Sequence, residues 1–123
     1  MKNLTNLFIG VLVVAMMLVV ITKSAMSQDA AKVASESYKV LLENDRVRVL
    51  EYRIKPGKKD ATHSHPDFLV YTFTAGKFKL TLPDGKTLDR EANANEVSFT
   101  EAETHATENV GFTEAHGLLI ELK

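Results

Sequence analysis

Apolar and polar residues alternate along much of the chain after position 38, and turn residues divide the alternating stretches into short segments. Phe78, Leu80 and Leu82 alternate with polar residues, which is the period-two pattern of a β-strand with one buried and one solvent-facing side. The same reasoning predicts strands over residues 39–43, 47–54, 68–75, 77–82, 87–92, 96–100, 105–110 and 112–122. Short strands at turn spacing, without a long amphipathic helix, predict an all-β barrel or sandwich.

One connection between predicted strands is indicated by its turn residues. Asp84-Gly85 lies between the segments 77–82 and 87–92. This dipeptide favours a tight hairpin turn in which both central residues adopt positive φ. We therefore expect these two segments to pair as a hairpin.

Residues 1–27 differ in composition from the rest of the chain. Lys2 precedes an apolar run of 15 residues from Leu7 to Ile21, and Ala25-Met26-Ser27 supplies small residues at the spacing of a signal-peptidase site. These features predict a signal peptide that is cleaved after Ser27, and therefore a periplasmic or secreted protein that meets the membrane only during export. A retained anchor is the alternative, but 15 residues are fewer than the roughly 20 that a helix needs to cross a bilayer.

The remaining chain divides into a short polar segment and one domain. Residues 28–37 are rich in Ala and Ser and are predicted to be a leader or linker with a helical turn, ahead of a barrel domain over residues 38–123. Excluding Lys2 and Lys23 leaves 13 basic and 16 acidic residues, a net charge of −3, which argues against nucleic-acid binding. The sequence has no cysteine, which excludes disulfides and thiolate metal ligands.

Three histidines have the spacing of a metal site on strands. His63 and His65 are two residues apart, so on extended backbone both side chains point to the same side. His105 lies 40 residues later at the start of another predicted strand. Three imidazoles from two strands can bind a divalent transition metal such as Zn, Fe, Mn, Ni or Cu. The alternative is a set of satisfied or solvated polar side chains without a metal.

The segments around these histidines resemble the two motifs of the cupin superfamily. Residues 57–65, followed by Gly76, resemble the first motif, G-x5-H-x-H-x3,4-E-x6-G, and residues 95–109 resemble the end of the second, P-x-G-x2-H-x3-N. The resemblance covers roughly residues 39–122 and implies a small double-stranded β-helix barrel. It also implies that His63, His65 and His105 are metal ligands inside that barrel.

The chain departs from these motifs at several positions. The glutamate of the first motif falls at Leu69 or Val70, so that no carboxylate occupies the position of the fourth ligand. Leu69 gives the six-residue spacing to Gly76, and we therefore expect it to lie beside the histidines. Thr100 and Ala102 stand where the second motif has Pro and Gly.

Other residues near the motifs have two interpretations each. Asp67 is a replacement ligand or a carboxylate that orients a histidine, but His65-Pro66-Asp67 more often forms a turn in which Asp67 bonds local backbone. Tyr71 and Phe73 share the parity of Leu69 and line a pocket or belong to the core. Three further candidates, each more commonly solvated or half-buried than functional, are Glu101, Glu103 and His116.

The sequence thus favours an exported small barrel that binds a divalent metal through three histidines and offers a small-molecule pocket. Metal-assisted oxygenase, isomerase or hydrolase chemistry is consistent with such a site. A non-catalytic ligand- or metal-binding module is the alternative, and a purely structural barrel is a third. The resemblance also implies a homodimer, which is consistent with the small core of a domain of this size.

Overall fold

The computed structural model describes residues 28–123, which form one helical turn and nine strands. The helical turn is α1 (Ala30–Val33). The strands are β1 (Tyr38–Glu43), β2 (Val47–Ile54), β3 (His63–His65), β4 (Phe68–Thr72), β5 (Gly76–Thr81), β6 (Thr87–Ala92), β7 (Val97–Thr100), β8 (Glu103–Asn109) and β9 (Ala115–Leu122). The predicted all-β class is confirmed.

The strands form two antiparallel sheets. One sheet has the order β1-β2-β9-β4-β7, and the other has the order β3-β8-β5-β6. Alternate residues of each strand point into the space between the sheets, as the period-two pattern predicts. The buried apolar residues there include Leu50, Tyr52, Ile54, Phe68, Phe78, Leu80 and Leu119. The strands β6 and β7 are each paired on one side only, at corresponding edges of the two sheets.

The predicted hairpin is present, but its turn differs from the expected type. Strands β5 and β6 pair as far as Thr81 and Thr87, and the amide of Leu82 donates to the carbonyl of Lys86 at 2.8 Å. Gly85 has φ +85°, whereas Asp84 does not have positive φ. The loop is therefore longer than a two-residue turn, and it needs only one residue in the left-handed conformation.

One strand was not among those predicted. The segment His63–His65 is too short and too polar to give a periodic pattern, yet it pairs with β8 over three residues. This pairing joins the two segments that carry the predicted metal ligands.

The polar segment before β1 packs against the barrel rather than linking to it loosely. The expected helical turn is present, and Asp29 caps it by accepting a hydrogen bond from the amide of Ala31 at 2.9 Å. Ala30 and Ala34 are fully buried, and the amide of Ser64 in β3 donates to the carbonyl of Gln28 at 2.7 Å. The small side chains that gave no periodicity in the sequence are what allow this segment to lie close to β3.

The predicted signal peptide and homodimer concern residues 1–27 and the outer surface of the barrel. The predicted signal peptide falls on residues 1–27, which lie outside the described residues. In the part of the chain that the structure describes, no helix is long and apolar enough to span a membrane. The outer face of the five-stranded sheet exposes Val97 and Phe99, and the homodimer stays a prediction.

Candidate metal centre

The pairing of β3 with β8 brings the three predicted histidines together. His63 lies directly opposite His105 in the ladder, and His65 follows on the same side of β3. All three are at most 4% exposed, and one ring nitrogen from each lies within 4.8 Å of the other two. The ring centroid of His63 lies 4.8 Å from that of His65 and 4.9 Å from that of His105.

His63 has a ring nitrogen that is available to a metal. Its Nδ1 lies 2.7 Å from the carbonyl of Ala61, which can only accept, so Nδ1 carries the proton. Its Nε2 is buried and has no hydrogen-bond partner among residues 28–123. The pKa of His63 is lowered to about 4, mainly by burial. The hydrogen bond to Ala61 acts to raise this pKa, whereas the neighbouring imidazoles lower it further. The ring is therefore neutral at pH 7, as a ligand must be.

A buried carboxylate orients the second histidine. Nδ1 of His65 donates to Oε1 of Glu121 at 2.7 Å, and Glu121 is only 2% exposed. Burial acts to raise the pKa of Glu121, but the hydrogen bonds from His65 and Arg48 outweigh it and hold that pKa below its usual range. An ionised acceptor at Nδ1 leaves the lone pair of His65 at Nε2, which is the arrangement common to metal-binding histidines.

A second carboxylate lies beside the third histidine. Oε1 of Glu103 is 3.1 Å from Nδ1 of His105, and both oxygens of Glu103 accept from Arg90, at 2.7 and 3.1 Å. Burial acts to raise the pKa of Glu103, but the contacts with His105 and Arg90 outweigh it and lower that pKa to about 2. Nδ1 of His105 is itself buried without a well-formed hydrogen bond to any described residue.

The donor set fits a divalent transition metal. A buried nitrogen lone pair without a partner is costly unless something binds it, and His63 supplies such an atom. Two of the three imidazoles also have a carboxylate at the opposite ring nitrogen, as metal-binding histidines usually do. The geometry therefore agrees with the ligand role that the sequence predicts for all three.

A cavity of about 140 Å³ adjoins the histidines, and residues of the edge strands β6 and β7 form part of its lining. Its volume is close to that of an engineered protein cavity that binds benzene, so it suits a ligand of similar size. His65, His105 and Arg90 form part of its wall. The apolar part of the lining includes Tyr52, Ile54, Phe68, Val70, Phe78, Leu80, Ala92 and Leu119.

Solved structures of similar chains bear on the family to which this chain belongs. The chain is 30% identical to a cupin domain from Bordetella pertussis Tohama I, with a TM-score of 0.64, over 70% of this chain and 91% of that one. This chain is a cupin. No family model matches the sequence, and no curated protein matches it either.

More distant cupin-fold structures agree on the barrel. An RmlC-like cupin from Methanocaldococcus jannaschii is 10% identical, with a TM-score of 0.55, over 83% of this chain and 85% of that one. The polyketide cyclase RemF from Streptomyces resistomycificus is 20% identical, with a TM-score of 0.54, over 83% and 77% of the two chains. These likenesses establish the double-stranded β-helix fold, which confirms the predicted architecture.

The residue that faces the histidines where the cupin motif has its glutamate is not Leu69, the residue that the spacing to Gly76 indicates. Leu69 pairs with Phe99 and Ile120 on the outer face of the sheet, whereas Val70 lines the cavity with His65. The expectation that Leu69 lies beside the histidines is therefore wrong. Pro66 and Asp67 interrupt the strand between His65 and Phe68, so the side-chain alternation of β3 does not continue into β4.

Because the alternation changes between β3 and β4, two residues that were predicted to line a pocket or the core point outward instead. Tyr71 and Phe73 lie on the outer side of the cupin barrel, where their rings contact each other with centroids 5.3 Å apart. Neither lines the cavity, and Phe73 is 40% exposed, so neither the pocket nor the core interpretation is correct for it. Phe68, Val70 and Thr72 occupy the inner face instead.

The remaining candidates have structural contacts. Asp67 accepts from the amide of Ala102 at 2.8 Å, so it bonds backbone as expected, though of a distant loop rather than its own turn. Glu101 is exposed, as anticipated for a loop carboxylate. His116 lies on the outer face, where its Nε2 is 3.0 Å from Glu51 and its ring contacts Phe73, so it is not a fourth inward histidine.

Three buried polar residues near the site were not predicted from the sequence. Glu121 shares the parity of Leu119 in the last strand, so a charged residue at a buried position was a usable signal. Asp60 accepts from the amide of Thr107 at 2.7 Å, and its Oδ1 lies 3.6 Å from Nδ1 of His63. Burial, and then the nearby charge of Asp60, raise the pKa of Tyr38 well above its usual value. The local sequence around Asp60 and Tyr38 gives no such signal.

Proposed function

We propose that this cupin binds a divalent transition metal through His63, His65 and His105 and holds a small organic ligand in the adjoining cavity. The observation that carries the proposal is the meeting of three buried imidazoles within 4.8 Å, one of which has a ring nitrogen with no partner in the described structure. Imidazole ligands suit Zn, Fe, Mn, Ni and Cu, and metal analysis of the purified protein would identify which of these ions it holds.

The residues around the site define what ligand it can hold. The cavity wall is mainly apolar and presents two of the histidines at one end, so a small ligand with an oxygen donor can bury its carbon skeleton there. Because neutral imidazoles leave a divalent charge uncompensated, an anionic or enolizable oxygen donor is favoured. Tyr38 also lines the cavity, and because its pKa is raised well above the usual value its hydroxyl stays protonated far above neutral pH.

Metal analysis of the purified protein tests the first part of this proposal. The wild type should contain about one transition-metal ion per chain, and the double variant His63→Ala/His105→Ala should contain almost none. His116→Ala is the matched control because it removes the fourth histidine of the sequence, which lies outside the cluster. Equal and negligible metal in wild type and double variant, after growth with each candidate metal, would contradict the proposal.

Catalysis is the second candidate function, and the cavity beside the histidines favours it. A bound divalent metal polarises a carbonyl or lowers the pKa of a bound water. Metal-dependent turnover or O₂ consumption, measured over a panel of small carboxylates and diketones, would identify an enzyme. Saturable binding of such compounds without turnover would identify the non-catalytic binding module instead.

The proposal also places the protein outside the cytoplasm. It is supported by the basic residue and the apolar run of residues 1–27, and the lack of cysteine is compatible with export. Fractionation of the source cells and amino-terminal sequencing of the mature protein would test it. We expect the mature chain to begin at Gln28, and a chain that begins at Met1 in the membrane fraction would indicate the anchor.

A further inference from the structure

A chain of charged groups connects the amino-terminal segment to the metal centre. Both oxygens of Asp29 accept from Arg48, at 2.7 and 3.1 Å, and Nε of Arg48 donates to Oε2 of Glu121 at 2.7 Å. The other oxygen of Glu121 accepts from Nδ1 of His65 at 2.7 Å. Four residues from four separate parts of the sequence thus form a continuous series of hydrogen bonds that ends on a candidate ligand.

Arg48 determines where the carboxylate of Glu121 lies. The guanidinium is planar and its donors have fixed directions, so it can bind Asp29 with two nitrogens and Glu121 with the third. Glu121 has no solvent to satisfy its second oxygen, because it is 2% exposed. Without Arg48, that oxygen would lack a donor, and the carboxylate could turn away from His65 to find one.

The amino-terminal segment holds the other end of this series and also braces β3. The carbonyl of Gln28 accepts from the amide of Ser64, the residue between His63 and His65, at 2.7 Å. Ala30 is fully buried, so Asp29 is held in place on its carboxyl-terminal side. Residues 28–30 therefore contact the two-histidine strand through its backbone and reach His65 through Arg48 and Glu121.

We propose that Arg48, held by Asp29, is a positioning residue that keeps Glu121 bonded to Nδ1 of His65 and so keeps Nε2 of His65 free for the metal. This inference rests on the proposed metal-binding function. According to this inference, residues 28–30, the first after the predicted cleavage site, support the metal centre. They would affect metal affinity without touching the metal.

The test compares Arg48→Met with Arg53→Met. Both arginines are in β2 and both pair with carboxylates, but Arg53 is exposed and pairs with Glu114 and Glu51. We expect Arg48→Met to weaken Co²⁺ and Zn²⁺ binding about 10- to 100-fold in chelator competition, which is the usual effect of removing a support behind a ligand. Arg53→Met should bind as the wild type does.

Two further readouts separate positioning from general stability. NMR of ¹⁵N-histidine protein without metal should show the Nδ1–H tautomer of His65 in the wild type and a mixture of tautomers in Arg48→Met. The visible spectrum of the Co²⁺ form should change in the same variant. If Arg48→Met does not fold, Asp29→Asn keeps the pair between Arg48 and Glu121, and it should weaken metal binding by a smaller factor.

The outcomes distinguish this inference from the proposed function. If the wild type binds Co²⁺ and Arg48→Met or Asp29→Asn binds it equally well, with the tautomer of His65 unchanged, the inference is overturned and the metal site stands. A lower melting temperature with unchanged affinity and spectrum would overturn it as well, because a purely structural role predicts that result. A wild type that binds neither ion overturns the proposed function and the inference together.

Discussion

Replacing Val70 by glutamate should supply the carboxylate ligand that the first cupin motif has and this chain lacks. Val70 lines the cavity together with His65 and His105. Leu69, one residue earlier, points to the other face of the sheet and pairs with Phe99 and Ile120. Leu69→Glu is therefore a control with the same added charge at a neighbouring position that cannot reach the histidines.

Val70→Glu should lower the stability of the metal-free protein. An unfolded glutamate has a pKa of about 4.3, and a cavity position that is half-buried should raise that pKa by roughly two units. At pH 7 this shift costs about 2–3 kcal/mol of folding free energy, at about 1.4 kcal/mol per unit. The melting temperature of metal-free Val70→Glu should then be about 10–20 °C lower than that of the wild type.

The sign of the pH dependence follows from the raised pKa. The penalty is absent below the pKa of the unfolded glutamate and grows as the pH rises toward that of the folded protein. Metal-free Val70→Glu should therefore approach the stability of the wild type as the pH is lowered toward 4.

Saturating metal should stabilise Val70→Glu more than it stabilises the wild type or Leu69→Glu. Thermal melting with and without saturating metal should show a larger metal-dependent increase for Val70→Glu than for wild type, because the fourth ligand tightens binding to the folded state. Leu69→Glu should show the increase of the wild type. A larger increase for Leu69→Glu than for Val70→Glu would refute the assignment of inner and outer faces in β4.

Three further predictions concern the barrel that holds the site. Asn109→Ala should lower the free energy of unfolding by about 3–5 kcal/mol in urea titrations, because the buried amide bonds the carbonyls of Ile54 and Thr113 and the amide of Gly111. Gly117→Ala should cost about 1–3 kcal/mol or prevent folding, since the new Cβ would lie 2.5 Å from the carbonyl oxygen of Tyr71, and a wild-type melting temperature would disprove that packing. The hydrogen bond from Arg48 lowers the pKa of Asp29, so the stability that it contributes is present above the unfolded pKa of about 3.9 and is lost as the pH falls through the lower folded value. The urea midpoint of the wild type should thus fall more steeply below pH 4 than that of Asp29→Asn.

Local alternation was sufficient to predict the all-β class, and the likeness to the cupin motifs predicted the type of barrel and the three histidines that meet in it. Strands β2 and β6 have the bounds that their alternation predicts. His63 and His65 share a side because side chains on extended backbone alternate, and that rule needs no tertiary information. The likeness of residues 95–109 to the second cupin motif identified His105 as the third histidine. In the structure, the pairing of β3 with β8 places His63 and His105 opposite each other.

The prediction at Leu69 was wrong because alternation was assumed to continue through a break in the strand. Pro66 cannot donate to a ladder, and Asp67 uses its side chain to bond the amide of Ala102. The alternation of inward and outward side chains therefore starts afresh in β4, and Phe68 rather than Asp67 faces inward. The spacing to Gly76 cannot show which residues face inward, because it counts residues without regard to the direction of their side chains.

The contacts behind the histidines were not predicted, since Glu121 was not considered and Glu103 was expected to be solvated rather than to contact His105. Glu121 and Glu103 each bring a carboxylate to the Nδ1 side of a histidine, and each carboxylate also contacts an arginine. Each charge is thus balanced inside the protein, while the imidazole nitrogens that remain can face an ion. Under the proposed function, carboxylates behind the ligands rather than among them would leave more coordination positions for a small molecule. These contacts join residues as far as 73 positions apart, so only the assembled sheets can bring them together.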